Sequence, residues 1–259
     1  MQRYKCVVTY DGTGFAGYQV QPGKRTVQGE IEAALAKIHK GKAVKVTASG
    51  RTDSGVHAKG QVIHFDSPLS IPSDRWPAAL NSMLAGEIVI LTVVKVNQDF
   101  HARFDATGKE YRYVLYLGQP KNPFNRNYAY HYPYPLNVAK MEEAARHLTG
   151  TYDFSSFCAS NTEVVDKVRT ITEISFKKED ECLVLRFRGN GFLYNMVRIL
   201  TGTLIEVGSG AREAADMPGL IAARDRTLAG KTAPAHGLYL WEVFYEDSVE
   251  ECKTTKPGV

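Results

Sequence analysis

The sequence predicts an α+β fold made of two similar halves, joined into one broad mixed or antiparallel sheet flanked by helices. Three observations predict it. Apolar residues alternate at strand spacing in several short stretches, recur at helical spacing behind capping residues in others, and the order of these stretches appears twice along the 259 residues. Each half reads β-α-β-β-α-β, the split arrangement of a ferredoxin-like unit. A chain of this length buries about 70–75% of its extended surface and needs no disulfide or metal to hold a core.

In the first half, residues 4–10 alternate as a strand, and Val27, Ile31, Leu35 and Ile38 form one helical stripe behind a Thr26 cap. Strands follow at 44–48 and 61–65, then a short helix over 73–84 and a strand over 88–96. After a loop containing residues 100–104 the order returns with a strand at 110–117. Val138, Met141, Ala145 and Leu148 mark a helix capped by Asn137, and residues 168–177 and 183–188 read as a hairpin with an acidic turn at 178–181. A long helix over 192–207, an extra helix near 218–229 and a closing strand over 238–245 complete the second half. The expected division is residues 1–104, residues 105–247, and a polar tail over 248–259.

Composition narrows the function classes. Ile88 to Val96 is the longest apolar run and is broken by Thr92 and Lys95, half of what a bilayer-spanning helix needs. Arg3 and Lys5 fall in the first strand with no apolar region behind them, so no secretory signal is expected. Cys6, Cys158, Cys182 and Cys252 lie far apart with no C-x-x-C, which argues against zinc ribbons and thioredoxin motifs and for reduced thiols in a cytoplasmic protein. Basic residues cluster between Lys24 and Lys59, and the stretch from Phe100 to Tyr134 carries ten of the 27 aromatic residues with a net charge of +3. Basic charge interleaved with aromatic rings suits a phosphate backbone and stacked bases. A tyrosine-rich strand pair with solvated lysines gives the same composition.

Four motifs bear on chemistry. The turn from Gly17 to Thr26 resembles a phosphate-cradling loop, yet five residues separate Gly17 from Gly23, and Arg25 rather than Ser or Thr follows Lys24. Nucleotide binding is rejected, and Lys24 and Arg25 are left as candidates for RNA phosphates. The block Ser49-Gly50-Arg51-Thr52-Asp53-Ser54-Gly55-Val56-His57-Ala58 follows a strand. Its composition is that of an ordinary polar turn; alternatively, Asp53 is a constrained nucleophile or base, with Arg51 engaging phosphate or carboxylate. His57 and His64 have no Cys or carboxylate at ligand spacing, so no metal site is expected. Arg198 falls on an otherwise apolar helix, where an unpaired charge costs several kcal/mol, so it requires a partner.

These residues resemble a known family. The matching blocks are Tyr10-Asp11-Gly12-Thr13 through Gly17-Tyr18-Gln19, Thr26-Val27-Gln28-Gly29, Ser49 to Ala58, and Gly60-Gln61-Val62. They continue with Phe100-His101-Ala102-Arg103-Phe104, Lys109-Glu110-Tyr111-Arg112-Tyr113, Asp153-Phe154 with Phe157, Asn195-Met196-Val197-Arg198, and Thr232-Ala233-Pro234-Ala235. The chain is similar over nearly its whole length to the TruA family of tRNA pseudouridine synthases, with Tyr18 standing where a Trp is common.

The resemblance implies the pseudouridine synthase fold and, through the blocks just named, isomerisation of uridine to pseudouridine in the anticodon stem-loop of tRNA, at positions 38, 39 and 40. It implies Asp53 as the catalytic carboxylate, Tyr111 packing on the target uracil with a part in proton transfer, and Arg198 pairing with Asp53. It further implies a homodimer on tRNA, with Arg51, Tyr111, Lys24, Arg25 and His57 toward the substrate, and no cofactor, metal or membrane. A non-catalytic RNA-binding module of the same fold is the competing class. It has no reason to keep Asp53, Tyr111 and Arg198 together.

Overall fold

A computed structural model describes residues 1–162 and 164–246. The expected tail at 248–259, with Cys252, lies outside these residues. The chain divides into two compact units, Met1–Thr107 together with the chain from Glu242, and Gly108–Trp241.

In the first unit, β1 (Gln2–Tyr10), α1 (Val27–Ile38), β2 (Thr47–Ala48), β3 (His57–Ser67), α2 (Trp76–Asn81) and β4 (Ile88–Val96) follow the expected order. The strands lie β4-β1-β3-β2 with every pairing antiparallel, as in a split β-α-β unit. Thr26 caps α1 by accepting the Gly29 N–H on its side-chain oxygen at 3.3 Å. Tyr4, Phe65 and Trp76 pack ring on ring at 5.1–5.4 Å and are almost fully buried.

Two elements are shorter than their apolar pattern predicts. Val44 and Val46 are buried, but the strand is only Thr47–Ala48. The backbone of Val46 is instead held by α1, its N–H donating to Glu32 and its carbonyl accepting from Gln28. The helix expected over 73–84 is a tight turn, Ser73–Arg75, followed by α2. Beyond it the Asn81 amide bonds both the N–H and the C=O of Ile90, tying the helix end to β4.

The loop after β4 is fastened to the same unit. Arg3 makes a bidentate pair with Asp66 at 2.8 Å and donates to the Phe100 carbonyl, while Tyr245 donates to the Ala102 carbonyl. His64 accepts the Ala102 N–H on Nδ1 at 3.1 Å.

The second unit contains β5 (Ala106–Tyr116), β6 (Tyr130–His131), α3 (Val138–Leu148), β7 (Gly150–Asp153), β8 (Val168–Glu179), β9 (Cys182–Gly189), α4 (Met196–Gly208), α5 (Met217–Ala223) and the start of β10 (Leu238–Tyr245). Its strands run β5-β9-β8-β7 in antiparallel pairs, and β6 adds to β5 in parallel, so the sheet is mixed. Asn137 caps α3 through the Lys140 N–H. The short strands β6 and β7 carry no legible alternation, and α4 begins four residues later than its apolar pattern, at a left-handed Asn195. The extra helix stops at Ala223, where Arg224 turns left-handed.

Register separates two faces of this sheet. Tyr111, Phe187 and Ile174 share one, with Tyr113, Leu185 and Phe176, while Glu110, Arg188 and Glu173 share the other. Glu110 is fully buried and accepts from Arg112, Arg186 and Arg188 at 2.7–2.8 Å. Burial pushes its carboxyl up, but the three guanidinium groups outweigh it and hold it below the usual range. The Arg112 guanidinium also lies 3.7 Å over the Trp241 ring. From Glu242 the closing strand goes with the first unit, where the sequence pattern had counted it with the second half. Tyr245 accounts for this, its ring packing on Phe100 at 5.4 Å and under the Lys5 ammonium at 4.5 Å.

Burial, with Arg3 and His101 adding to it and Asp66 and Asp105 opposing, lowers the His64 pKa to about 4. The unfolded chain, near 6.5, therefore takes up this proton first, so the stability contributed by neutral His64 is complete above that value and declines as pH falls toward 4. Denaturant titrations at pH 7 and 5 should show a larger loss in the wild type than in His64→Gln, which keeps an acceptor for Ala102. Equal losses would refute the assignment.

Candidate active site

The first unit presents the Asp53 block as an irregular segment between β2 and β3, and its backbone is fixed from three directions. The Val56 N–H donates to the Asp53 carbonyl at 3.1 Å, closing a turn around the carboxylate-bearing residue. The preceding loop lies against it: the Tyr18 N–H donates to the Thr52 carbonyl at 3.0 Å, and the Ser54 hydroxyl donates to the Phe15 carbonyl at 3.1 Å. Gly17, at φ +102°, makes this approach possible, since a Cβ there would meet Thr52 O at 3.0 Å. From below, the buried amide of Gln61 accepts the Ser49 hydroxyl and donates to the Gly50 carbonyl, both at 2.8 Å. The Tyr10 hydroxyl lies 2.7 Å from Thr52 Oγ1.

The other candidates of this unit fall into two groups. Arg51 and Lys24 are exposed, the latter beside the left-handed Gly23. Arg25, which is also exposed, and the buried His57 make bonds within the fold. Arg25 donates from Nε to Glu30 and from both terminal nitrogens to Glu87, and its guanidinium lies 4.3 Å over the Phe15 ring. The bonds to Glu87 and Glu30 raise its pKa further. His57 is 2% exposed, with Nδ1 at 3.0 Å from the Gly12 N–H and 3.1 Å from Asp11 Oδ1. Its ring anchors the 11–13 turn.

In the second unit, Tyr111 projects from the middle of β5 and meets Phe192 edge to face at 5.1 Å. At 9% exposure it is largely buried. Arg198 is in the first turn of α4, and its orientation is built by the 230–233 segment. Gly202 lets that segment lie against the helix, because a Cβ there would come within 1.7 Å of Lys231 O. The Gly230 N–H then donates to Thr203, and Ala233 is brought alongside Arg198. Arg198 Nε donates to the Ala233 carbonyl at 2.7 Å and Nη1 to Asn195 Oδ1 at 2.8 Å, which sets the plane of the guanidinium.

Sequence reasoning missed Phe192 and Asn195 as neighbours of these residues, and Tyr10, Thr52 and Gln61 as supports of the Asp53 turn. Asn195 alone carried a signal, an Asn ahead of an apolar run, the non-glycine residue type that most readily takes the left-handed backbone found there. Among the described residues no three His, Cys, Asp or Glu side chains gather as a metal site, and no helix is long and apolar enough to cross a membrane. Cys6, Cys158 and Cys182 are free thiols, and burial pushes each of them up.

Tyr18, the residue at which the sequence departs from the family pattern, is buried with its hydroxyl unpaired, and burial raises that phenol well above its ordinary value. An unsatisfied buried hydroxyl costs about 1–3 kcal/mol. Tyr18→Phe should therefore raise stability by about 1 kcal/mol and the melting temperature by a few degrees; a lower melting temperature counts against an unpaired group.

Residues 6–105 and 144–246 match the family described as tRNA pseudouridine synthase. The tRNA pseudouridine synthase A of Bacillus pumilus (strain SAFR-032) is 61% identical over 246 residues, covering 95% of this chain and 100% of that protein. The protein of the same name from Bacillus subtilis (strain 168) is 56% identical over 246 residues, with coverage of 95% and 100%. That from Halalkalibacterium halodurans is 54% identical over 260 residues, with coverage of 100% and 99%. Similarity of this depth, running through both units and including the Asp53 turn, leaves a single assignment: the chain belongs to the tRNA pseudouridine synthase family.

Proposed function

We infer that this protein isomerises uridine to pseudouridine in tRNA, with Asp53 as the carboxylate that starts the reaction. The observation that carries the reading is the Asp53 turn itself, a specific block of the family held rigid in the first unit by hydrogen bonds from both sides. Chemistry at C1′ needs a group held to within a fraction of an ångström. The N1–C1′ bond breaks, the uracil turns, C5 bonds to C1′, and the proton leaving C5 is matched by one gained at N1. Nothing is oxidised or hydrolysed. Asp53 either attacks the nucleoside covalently or removes a ribose proton to give a glycal.

Tyr111 takes the place against the uracil, supported by its edge contact to Phe192. The resemblance gives Arg198 as the partner of the Asp53 carboxylate, and its guanidinium plane, preset by Ala233 and Asn195, suits that role. Arg51, Lys24 and Arg25 are exposed cations suited to RNA phosphates, Arg25 while also paired with Glu30 and Glu87. The resemblance further assigns the anticodon stem-loop as the target region, a homodimer as the working form and the cytoplasm as the compartment.

Asp53→Asn should fold and bind tRNA like the wild type yet form no pseudouridine, as mapped on tRNA after incubation with the pure protein. Single-turnover activity of even a few per cent would sink the assignment. Arg198→Lys should lower the rate at saturating tRNA with affinity little changed, because an ammonium cannot reproduce the fixed fork.

Affinity should fall with salt on a log–log slope of about 0.7–0.9 per neutralised phosphate. Lys24→Glu should weaken binding without altering single-turnover chemistry. Lys24 is the clean probe, because Arg25→Glu would also break two ion pairs. Unchanged affinity in Lys24→Glu removes this turn from the interface.

A further inference from the structure

The Asp53 turn has a floor that neither the family match nor the chemistry of the reaction assigns. Gln61 on β3 is wholly buried, in a strand whose other buried positions are apolar or histidine apart from Ser67 at its end. A buried amide is costly unless its donors and acceptor are engaged, and here they are engaged with the turn. The Gly50 carbonyl can only accept, so it fixes Nε2 on its side, and Oε1 then receives the Ser49 hydroxyl. The orientation of the amide is thereby unique.

The same Nε2 reaches the Tyr10 phenol oxygen at 3.4 Å, and the phenol, carrying its proton, pairs with Thr52 Oγ1 at 2.7 Å. Tyr10 is 3% exposed, and burial pushes its pKa up to about 12, so that proton is present throughout the working range. A continuous buried chain therefore runs from Gln61 through Tyr10 to the side chain of Thr52, the residue bonded to Asp53.

We propose that Gln61, Tyr10 and Thr52 form a positioning relay, with the phenol and amide clamping both the entry of the turn and the residue next to Asp53 so that its carboxylate is held in place for its step. This rests on the reading of Asp53 as the catalytic carboxylate. Thr52 contributes in two ways, since its carbonyl accepts from the Tyr18 N–H while its hydroxyl pairs with that of Tyr10. The turn is thus gripped on its backbone from one loop and on its side chain from the strand floor. Neither Tyr10 nor Gln61 is exposed to substrate, so their loss should appear in the chemical step and not in binding.

The test measures single-turnover rates, tRNA affinity and melting temperature in Tyr10→Phe, Thr52→Val, Thr52→Ser and the Tyr10→Phe/Thr52→Val pair. Tyr10→Phe and Thr52→Val should each lower the rate at saturating tRNA by about 10- to 100-fold, the cost of a misplaced reacting group. The dissociation constant for tRNA should stay within about twofold, well short of the tenfold that 1.4 kcal/mol represents. Thr52→Ser, which retains the hydroxyl, should recover most of the rate lost in Thr52→Val. The double variant should be no slower than the worse single, because the two groups act as one unit. Wild-type rates in a folded Tyr10→Phe overturn the proposal, as do multiplicative losses in the pair or losses confined to affinity. Asp53→Asn, run in parallel, separates the two claims: if it is inactive while Tyr10→Phe is fully active, only the relay fails, whereas activity in Asp53→Asn removes the catalytic assignment beneath it.

Discussion

An irregular turn between two strands has no ladder of its own, and the peptide groups it does not pair internally have to find partners elsewhere. The rest of the first unit follows from that constraint. Strand β1 ends at Tyr10 and β3 begins just after the turn, so the two paired strands supply a phenol and an amide at its base. The loop of residues 11–26 is pressed onto its other side and is itself clamped by Arg25, Glu30 and Glu87. Gly17 is the point at which the two irregular segments can touch.

The second unit meets a related problem with different parts. An arginine at the start of a helix has many rotamers, and holding one of them requires bonds that a helix does not provide for its own surface. Gly202 removes a side chain so that residues 230–233 can lie along α4, and the carbonyl of Ala233 then serves as the stop for Arg198. Thr201 and Thr203 are buried on the same helix and bond back to the carbonyls of Val197 and Ile199, so their hydroxyls cost little inside the core.

Elements whose signals are local were legible in the sequence: the Thr26 and Asn137 caps, the alternation of β1, and β4 and β10 residue for residue. Illegible were features set by partners distant in the chain. Val44 and Val46 look like a strand, but α1 takes up the Val46 hydrogen bonds. Charge counting points to Arg25 as an RNA contact, and nothing near it in sequence reveals its ion pair with Glu87, 62 residues on. Gln61 hid for a related reason, since a polar residue in an apolar strand reads as a position facing water. The Asp53 block was ambiguous on composition and became specific only through family resemblance.

The Glu110 cluster implies an unequal tolerance to change on its face of the sheet. Three arginines share one carboxylate, so any one of them can drift to another residue and leave two neutralising contacts behind. The carboxylate has no such freedom. Its replacement would leave three guanidinium groups crowded together, with Glu173 in reach of Arg186 at 3.4 Å. Breaking a buried pair in this direction typically costs about 3–5 kcal/mol. Among related chains the acid at this position should thus be nearly fixed while its basic neighbours vary, a hierarchy of constraint that follows from connectivity alone and owes nothing to catalysis.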